Sequence, residues 1–554
     1  MSEQSITELN AESGLSRGNL RLSERVDGWI ESHIELLAIL ALGAGFIVRV
    51  VVARSRYLVA DEALDYLLVN QPSALAAYRA SLTQAHPPLF YFVLYYWRFL
   101  GTSELMLRFP SIIAGTLMPW FAFLWLKRLG KDTAFLALLL LTFTPPVVTF
   151  STEIRPYGFL LLFVVAALWS LDRGFERNSA GDMVVFGALL CLALFMQYSA
   201  IWVAIAAGIY ALARIVSGEL KKAAVFGWIA SQACALAVLG FLWVTHISTL
   251  YGGVMESSAV KNYLSAEYFQ AGENVLRFVS RTGAGAFLYL LNRHIAWSLD
   301  IPRAGIAIAL FFLFAIVLVL ANCTGGMKAK VGSTRTFGVL LLLPVIVGCA
   351  GALLQFYPYG SSRHVAYLEP FVMAAIAFGL AFLSQKAFWA GIVATVVLLI
   401  TCNVYSEPAE YMSTAGQAKK EMVQTVKYIH ESVPAGGVIL VDYNTGLMLR
   451  YYLCSGAQNS IRGGEDRVEQ FACGEYQMAS GVTRNYGWVF SSKTFVPLFA
   501  GMEKQLDWSQ GQAIWLVQAD EISPPLDLTF LARFGAERTQ EFGEYISVTR
   551  LRAP

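Results

Sequence analysis

The sequence is short of charge. Only 14% of its 554 residues are Asp, Glu, Lys or Arg, and 56% are hydrophobic, whereas soluble globular chains carry about 25% charged residues. Apolar runs of about 20 residues, each long enough to cross a bilayer, recur over roughly the first 400 positions. Soluble helices keep a polar face, which these runs lack. The composition therefore disfavours a soluble protein with a large core and predicts a polytopic membrane protein.

Other missing features exclude further classes. The chain has no basic cluster with interleaved aromatic residues, so we expect no nucleic-acid partner. Its formal net charge of +2 gives no reason to expect an acidic partner. It has no repeat of fixed period and no low-complexity tract. No spacing of His and Cys resembles a metal site, so the residue pattern predicts no metal.

The N-terminus lacks the early apolar segment of a signal peptide. Residues 1–30 are polar, and we expect them to form a disordered cytoplasmic tail ahead of a retained first span. We expect residues 31–405 to form the transmembrane domain and residues 406–554 to form a separate domain outside the cytoplasm.

Cysteine is also sparse, with 7 residues in the chain. Five of them lie in or beside apolar runs, where packing is their expected role: Cys191, Cys234, Cys323, Cys349 and Cys402. Cys454 and Cys473 lie in the polar C-terminal part and can pair if that part is extracytoplasmic. Sequence does not show the distance between their Cα atoms, so the pairing stays open.

Length and hydropathy predict about eleven transmembrane helices. The expected spans are 34–53, 107–127, 132–150, 157–172, 183–197, 199–216, 223–245, 303–321, 336–354, 365–384 and 388–404. Lys and Arg concentrate in alternate connections, which marks those connections as cytoplasmic. The N-terminus is then cytoplasmic, and an odd number of spans places the C-terminal part outside. Helix-like and strand-like segments alternate in that part, which predicts a soluble α/β domain.

The loop after the first predicted span carries most of the ionisable chemistry. Asp61 and Glu62 are adjacent, Asp65 shares a helix face with Asp61, and His86 precedes two prolines. We expect two amphipathic helices here that lie on the outer membrane surface. A carboxylate in this place can act as a general base, and the His can donate to a phosphate. The alternatives are favourable charge at a helix N-terminus and a capping or interfacial His.

Two other outside loops hold arginines beside spans. The first, in the segment STEIRPY, contributes Glu153, Arg155 and Tyr157. The second, in the segment YPYGSSRHVAY, contributes Arg363, His364 and Tyr367. Arg suits bidentate binding of phosphate, although an arginine that snorkels to the lipid headgroups is the alternative in both loops. Carboxylates and arginines on one side of the membrane suit a substrate with a lipid tail and a phosphorylated head.

Several short motifs resemble those of integral-membrane glycosyltransferases of the GT-C superfamily. They are the pair Asp61-Glu62, HPPLFYF from His86, GTSEL from Gly101, LRFPS at Leu107–Ser111 and EIRPY at Glu153–Tyr157. The chain is similar to the bacterial branch related to protein O-mannosyltransferases and the lipid A aminoarabinose transferase. The resemblance covers about residues 30–405. Ala85 stands where the aminoarabinose branch has a Glu, which weakens the expectation of a metal or of lipid A as acceptor.

The resemblance implies a function and a set of roles. A sugar would move from a polyprenyl monophosphate to an acceptor of the cell envelope, which is a glycan, lipopolysaccharide, lipid or protein, at the outer face of the cytoplasmic membrane. Asp61 would be the catalytic base, with Glu62 assisting or orienting it. His86, Arg155 and Arg363 would bind the donor phosphate, and transfer would invert the anomeric centre without a required cofactor. Asp65, Glu153, Tyr157, His364 and Tyr367 are further site candidates.

Two rival functions remain open. A transporter or flippase of lipid-linked sugar would place ionisable residues near the middle of its spans, often on broken helices. An O-antigen ligase or polymerase would centre its chemistry on one large late outside loop. Here the densest cluster of ionisable residues lies in the first outside loop, which favours neither.

Overall fold

A computed structural model describes most of the chain. It covers residues 3–217, 221–250, 264–292, 301–321, 334–404, 415–441, 443–454, 467–482, 513–519, 536–543 and 546–552. Helices dominate as far as residue 404, and a sheet with two helices follows in the C-terminal part. The predicted fold class, a polytopic α-helical protein with a C-terminal α/β region, is confirmed.

The helices of the N-terminal part follow the apolar runs of the sequence. They are α1 Glu3–Ser55, α2 Ala60–Val69, α3 Ala74–Ser81, α4 Leu89–Trp97, α5 Glu104–Leu126, α6 Lys131–Phe143, α7 Pro145–Thr152, α8 Tyr157–Arg177, α9 Ala180–Met196, α10 Ala200–Val216, α11 Lys222–Leu242, α12 Val275–Leu291, α13 Ile301–Leu320, α14 Thr334–Leu353, α15 Glu369–Leu383 and α16 Phe388–Val404. A π-helical turn, Trp243–Ile247, extends α11, and a 3-10 turn, Arg363–Leu368, leads into α15.

Seven helices in the described ranges are long and apolar enough to cross a membrane, or eight if the bent pair α6 and α7 counts as one span. The pair bends by 56° at its break, where Pro145 and Pro146 begin α7. Three shorter apolar helices, α9, α10 and α16, coincide with the three remaining predicted spans. The count of about eleven stays a prediction, because length and composition alone do not show that these three cross the bilayer.

Two elements differ from the sequence analysis. Helix α1 begins at Glu3, inside the segment expected to be a disordered tail; Glu, Leu and Arg in that segment are good helix formers. Helix α12 was not expected at all. Polar residues interrupt its apolar pattern, among them Arg277, Arg281 and Thr282, so it does not read as a span.

The segment after α1, which the sequence predicts to be the first outside loop, folds into three short helices, α2 to α4, none of which is as long as a bilayer span. They share one apolar core with residues from other parts of the chain. This core contains Leu64, Leu67 and Tyr91 from the loop and Ile154 from the turn between α7 and α8. It also contains Leu447 from the C-terminal part. The loop is therefore packed both against the helical part of the chain and against the C-terminal part.

The C-terminal part contains α17 Ala415–Ser432, β1 Val438–Val441, α18 Tyr443–Leu453, β2 Arg467–Cys473, β3 Tyr476–Val482, β4 Ile514–Gln518, β5 Ala536–Phe542 and β6 Ile546–Leu551. The sheet order is β2-β3-β1-β4-β6-β5. Strand β1 is central and pairs in parallel with both β3 and β4, with Val438 opposite Gln477 and Ile514. The other pairs are antiparallel.

A disulfide joins Cys454 at the end of α18 to Cys473 at the end of β2, with their Cα atoms 4.4 Å apart. The pairing that the sequence left open is therefore present. Of the five cysteines expected to pack in apolar surroundings, Cys323 lies outside the described residues. The predicted domain boundary near residue 405 also stays a prediction, because residues 405–414 are not among those described.

Candidate active site

Four residues from three separate segments of the chain meet at one place. Asp61 lies in the first turn of α2, and Asp65 follows it one helical turn later. Arg155 belongs to the short turn between α7 and α8, and Arg363 begins the 3-10 turn before α15. Arg155 Nη2 contacts Asp61 Oδ2, and Arg363 Nη1 lies 2.8 Å from the same oxygen. The sequence analysis named all four residues.

Arg155 also joins the two carboxylates of α2. Its Nη1 lies 3.1 Å from Asp65 Oδ2, and the Tyr91 hydroxyl donates to Asp65 Oδ1 at 3.1 Å. Since residues i and i+4 of a helix lie on one face, a single guanidinium can reach both carboxylates. Arg155 therefore fixes α2 against the turn before α8.

The four side chains differ in their access to solvent. The exposed fraction of the side chain is 47% for Asp61 and 32% for Arg363, but 6% for Arg155 and 1% for Asp65. Asp61 and Arg363 thus form the open mouth of the cluster. Asp65 lies behind them, and Arg155 connects the buried and open parts.

The surroundings shift the pKa values of Asp61 and Asp65 in opposite directions. Burial pushes the pKa of Asp61 upward, but the positive charges of Arg155 and Arg363 outweigh it and hold this pKa below its usual range. Burial raises the pKa of Asp65 to about 7, against the pull of Arg155. Asp61 is therefore ionised at neutral pH, whereas Asp65 is close to its titration midpoint.

Glu62 occupies a different environment from its neighbour. Its side chain is 1% exposed, and it forms a two-point ion pair with Arg108 of α5: Oε1 lies 2.8 Å from Nε, and Oε2 lies 2.5 Å from Nη2. The Ile154 amide also donates to Oε1 at 2.9 Å. Both carboxylate oxygens of Glu62 are therefore engaged within the protein. Its expected role of assisting or orienting Asp61 stays a prediction.

Arg108 is not among the site residues expected from the sequence. Besides Glu62, its guanidinium donates to the backbone carbonyls of Ala53, Arg56 and Tyr57 at 2.7–2.8 Å. It therefore ties the end of α1 and the start of the first loop to α5. The sequence does carry a signal for Arg108, because an arginine within an apolar span is a functional or structural candidate by default.

His86 lies beside the cluster but as a neutral group. Burial, and then the positive charges of Arg155 and Arg363, lower the pKa of His86 to about 3. Its Nδ1 lies 3.4 Å from Gln197 Oε1, and its ring packs edge-on against Tyr157. A neutral His86 can still offer an N–H group to a phosphate, and its expected role in phosphate binding stays a prediction.

The remaining candidates lie around this cluster or away from it. Glu153 is buried 3.6 Å from Arg56 Nη2, and Tyr157 packs between Phe150 and His86. His364 contacts Ser362, with its Nδ1 atom 2.9 Å from the Ser362 Oγ. The Ser362 hydroxyl donates to Glu267. Tyr367 is buried in the core of the helical domain, where a Cβ on Gly348 would collide with its hydroxyl.

Within the described residues, no three His, Cys, Asp or Glu side chains come close enough together to hold a metal ion. The local chemistry is instead that of two arginines around carboxylates, which suits an anionic ligand. Independence from metal stays a prediction.

The comparisons with known proteins agree with this architecture. Residues 85–243 match the model of the dolichyl-phosphate-mannose-protein mannosyltransferase family. The structure of ArnT from Cupriavidus metallidurans bound to undecaprenyl phosphate superposes with a TM-score of 0.52 at 12% identity, over 94% of this chain and 98% of that one.

The chain has the GT-C glycosyltransferase fold. The resemblance inferred from the first-loop motifs is thereby confirmed. No curated protein sequence matches it significantly.

Two further structures show weaker similarity to this chain. The Archaeoglobus fulgidus oligosaccharyltransferase, tethered with an acceptor peptide, has a TM-score of 0.45 and 11% identity over 76% of this chain and 63% of that one. The protein O-mannosyltransferase Pmt1-Pmt2 complex of S. cerevisiae, bound to the sugar donor, has a TM-score of 0.32 and 17% identity over 43% of this chain and 35% of that one.

Proposed function

We propose that this chain is an inverting glycosyltransferase that moves a sugar from a polyprenyl-monophosphate donor to an acceptor of the cell envelope. The single observation that carries this proposal is the convergence of Arg155 and Arg363 on Asp61. Two cations beside a partly exposed carboxylate suit both halves of the reaction. The cations suit an anionic leaving group, and the carboxylate suits an acceptor proton. The ArnT structure with bound undecaprenyl phosphate supports the class of donor.

The donor phosphate binds to the guanidinium groups of Arg155 and Arg363, and His86 adds an N–H donor. These groups stabilise the negative charge that develops on the phosphate as the sugar leaves, and such preorganised donors act most strongly where water is excluded. Arg155 is nearly buried, and Arg363 is partly exposed. A phosphate head therefore approaches through the open side of the cluster, with its lipid tail in the bilayer.

Asp61 takes the proton of the acceptor hydroxyl or amine. The acceptor atom forms a bond to the anomeric carbon, the bond from that carbon to the phosphate oxygen breaks, and the electron pair stays on the phosphate. One displacement of this kind inverts the anomeric centre. Because both arginines contact Asp61, a donor phosphate must draw them away before Asp61 becomes an effective base.

The site lies on the extracytoplasmic side of the cytoplasmic membrane in this proposal. The distribution of Lys and Arg in the connections favours that orientation. The disulfide between Cys454 and Cys473 also favours it, because disulfides persist in oxidising compartments. The N-terminus is then cytoplasmic, and the C-terminal α/β domain is periplasmic or extracellular.

The rival functions require different chemistry. A flippase needs ionisable groups along a path through the membrane, whereas the cluster around Asp61 comes from segments that lie between the predicted spans. A ligase or polymerase that uses one late outside loop would not need the carboxylates of α2. Neither rival explains why the first loop and two later segments meet.

A reconstitution assay tests the proposal. The purified protein in liposomes is given a polyprenyl-monophosphate sugar, a polyprenyl-diphosphate sugar or a nucleotide sugar, together with envelope extract as acceptor. The proposal expects released polyprenyl phosphate and labelled acceptor with the monophosphate donor only. Movement of the intact lipid-linked sugar across the bilayer without release would support the flippase instead, and use of the diphosphate donor would favour the ligase.

A further inference from the structure

The C-terminal domain touches the helix that carries the catalytic carboxylates. Helix α18 packs on α2, and Leu447 of α18 belongs to the same apolar core as Leu64 and Leu67 of α2. The rings of Tyr451 and Tyr66 meet edge to face with their centroids 5.3 Å apart. A domain that only covered the acceptor would not need to share a core with the catalytic helix.

One hydroxyl stands at the centre of this contact. The Leu58 amide, two residues before α2 begins, donates to the Tyr452 hydroxyl at 2.9 Å. The same hydroxyl donates to Glu104 Oε1 at 2.5 Å. Glu104 is the first residue of α5 and belongs to the GTSEL motif. Tyr452 therefore bridges the chain just ahead of Asp61 and the helix that holds Arg108.

Neighbouring contacts reinforce the same junction. Lys419 of α17 pairs with the other carboxylate oxygen of Glu104 and donates to the Arg54 carbonyl at 3.1 Å. The Tyr451 hydroxyl donates to the Thr102 carbonyl at 2.8 Å. Tyr57 and Ala60, at the start of the first loop, pack against the core of the C-terminal domain. The N-terminal end of α2 is thus held from the membrane side by Arg108 and from the soluble side by Tyr452.

We infer that Tyr452 is a positioning residue for glycosyl transfer, and that the C-terminal domain completes the active site by fixing the N-terminal end of α2. The inference rests on the proposed function of Asp61. Asp61 is three residues beyond Leu58, so a shift of this backbone moves the base relative to the acceptor. Arg155 and Arg363 are anchored on other elements and keep their places. A displacement of the base by about 1 Å can cost roughly a hundredfold in rate.

The inference predicts a split between turnover and donor binding. Tyr452→Phe keeps the ring but removes the acceptor for Leu58 and the donor to Glu104. We expect kcat to fall about tenfold or more, while KM for the polyprenyl-monophosphate sugar stays within about twofold. Tyr451→Phe is the matched control, because it also removes one hydroxyl from α18 but breaks only the bond to Thr102. We expect its kcat to stay close to that of the wild type.

A second pair of variants separates the hydrogen bond from the ion pair. Glu104→Gln keeps an acceptor oxygen for the Tyr452 hydroxyl and removes the charge that pairs with Lys419, so we expect a smaller fall in kcat than in Tyr452→Phe. Glu104→Ala removes the acceptor as well, and we expect it to resemble Tyr452→Phe. All variants are measured as full-length protein in liposomes, with thermal unfolding recorded in parallel.

Equal kcat for Tyr452→Phe and Tyr451→Phe would overturn the inference. So would a loss of activity in Tyr452→Phe that came with a much larger fall in unfolding temperature than in Tyr451→Phe, since the role would then be stability. Asp61→Asn in the same assay separates the two proposals. If it is inactive while Tyr452→Phe is fully active, the proposed function stands and the positioning role fails. If Asp61→Asn turns over normally, both fail.

Discussion

Arg363 Nη1 lies 2.8 Å from Asp61 Oδ2, although 302 positions separate the two residues in the sequence. The contact joins the start of α2 to the segment that leads into α15 and gives the carboxylate a cationic partner. The same guanidinium is free to rotate toward a phosphate when a donor arrives, because its side chain is one third exposed. This relationship motivates the first prediction.

Arg155→Gln and Arg363→Gln are each expected to weaken binding of the polyprenyl-monophosphate sugar. A hydrogen bond to a charged group contributes about 1.5–3 kcal/mol, so the expected loss of affinity is roughly ten- to a hundredfold. Titration of fluorescent donor into protein in nanodiscs measures it. Arg281→Gln is the control, because Arg281 pairs with Glu273 at the surface and takes no part in the cluster. Unchanged donor affinity in both Arg155→Gln and Arg363→Gln would show that these arginines do not bind the donor phosphate.

Donor affinity is expected to depend on pH through Asp65. Its pKa of about 7 means that it is neutral at pH 6 and charged at pH 8. When neutral, it competes less with the phosphate for Arg155, so the donor should bind more tightly at pH 6 than at pH 8. A sugar-linked donor is a phosphodiester, whose own charge stays constant over this range. Asp65→Asn should abolish the difference, which separates Asp65 from Glu267, whose pKa burial also raises to about 7.

The same pKa shift has a consequence for stability. The pKa of Asp65 is higher in the folded protein than in free Asp, so the folded state binds this proton more tightly than the unfolded state. The stabilising contribution of the proton is therefore present at low pH and is lost as the pH rises through about 7. As the pH rises from the pKa of free Asp to about 7, the thermal unfolding temperature of the wild type should fall more than that of Asp65→Asn. An identical fall in both proteins would contradict the assignment.

Arg108→Met is expected to destabilise the protein strongly. The substitution leaves Glu62 charged and buried without its partner, and breaking a buried ion pair from one side typically costs about 3–5 kcal/mol. It also releases three carbonyl groups near the start of the first loop. Thermal unfolding in detergent measures the effect. Arg98→Met is a suitable comparison, because Arg98 also caps two carbonyls of the first loop but has no buried carboxylate partner of this kind among its described contacts.

The disulfide is expected to be intact in purified protein. Maleimide labelling of denatured but unreduced protein should leave Cys454 and Cys473 unmodified, and reduction should expose both. Closing a loop with a sequence separation of 19 stabilises a folded domain by about 3 kcal/mol. The double variant Cys454→Ser/Cys473→Ser should therefore unfold at a lower temperature than the wild type. Labelling of both cysteines without reduction would contradict the structure.

The sequence predicts the site well where local rules apply. The shared face of Asp61 and Asp65 follows from helical spacing, and the outside position expected for Arg155 and Arg363 follows from the charge pattern of the loops. Their convergence on one carboxylate oxygen does not follow, because no local pattern links residues that lie 302 positions apart. Hydropathy likewise locates the spans. It does not predict α12, because arginines interrupt the apolar face of this helix.

Other features of the site also have physical causes that sequence does not show. Asp61 and Glu62 are adjacent, yet a helix turns neighbouring side chains in different directions, and only Glu62 meets Arg108. Burial and two nearby arginines lower the pKa of His86, and neither the burial nor the arginines can be read from its neighbours in the sequence. Tyr452 could not be found from the sequence, because its partners lie in the first loop and its own surroundings resemble those of any amphipathic helix.

The most direct test of the central claim compares transfer and donor binding in Asp61→Asn. If Asp61 is the base, and if it shares Arg155 and Arg363 with the donor phosphate, the variant should transfer labelled sugar at least about a hundredfold more slowly. It should also bind the polyprenyl-monophosphate sugar as tightly as the wild type or more tightly, because both arginines are released. Normal transfer by Asp61→Asn would show that the base lies elsewhere, and weakened donor binding would show that the arginines need Asp61 to hold the phosphate.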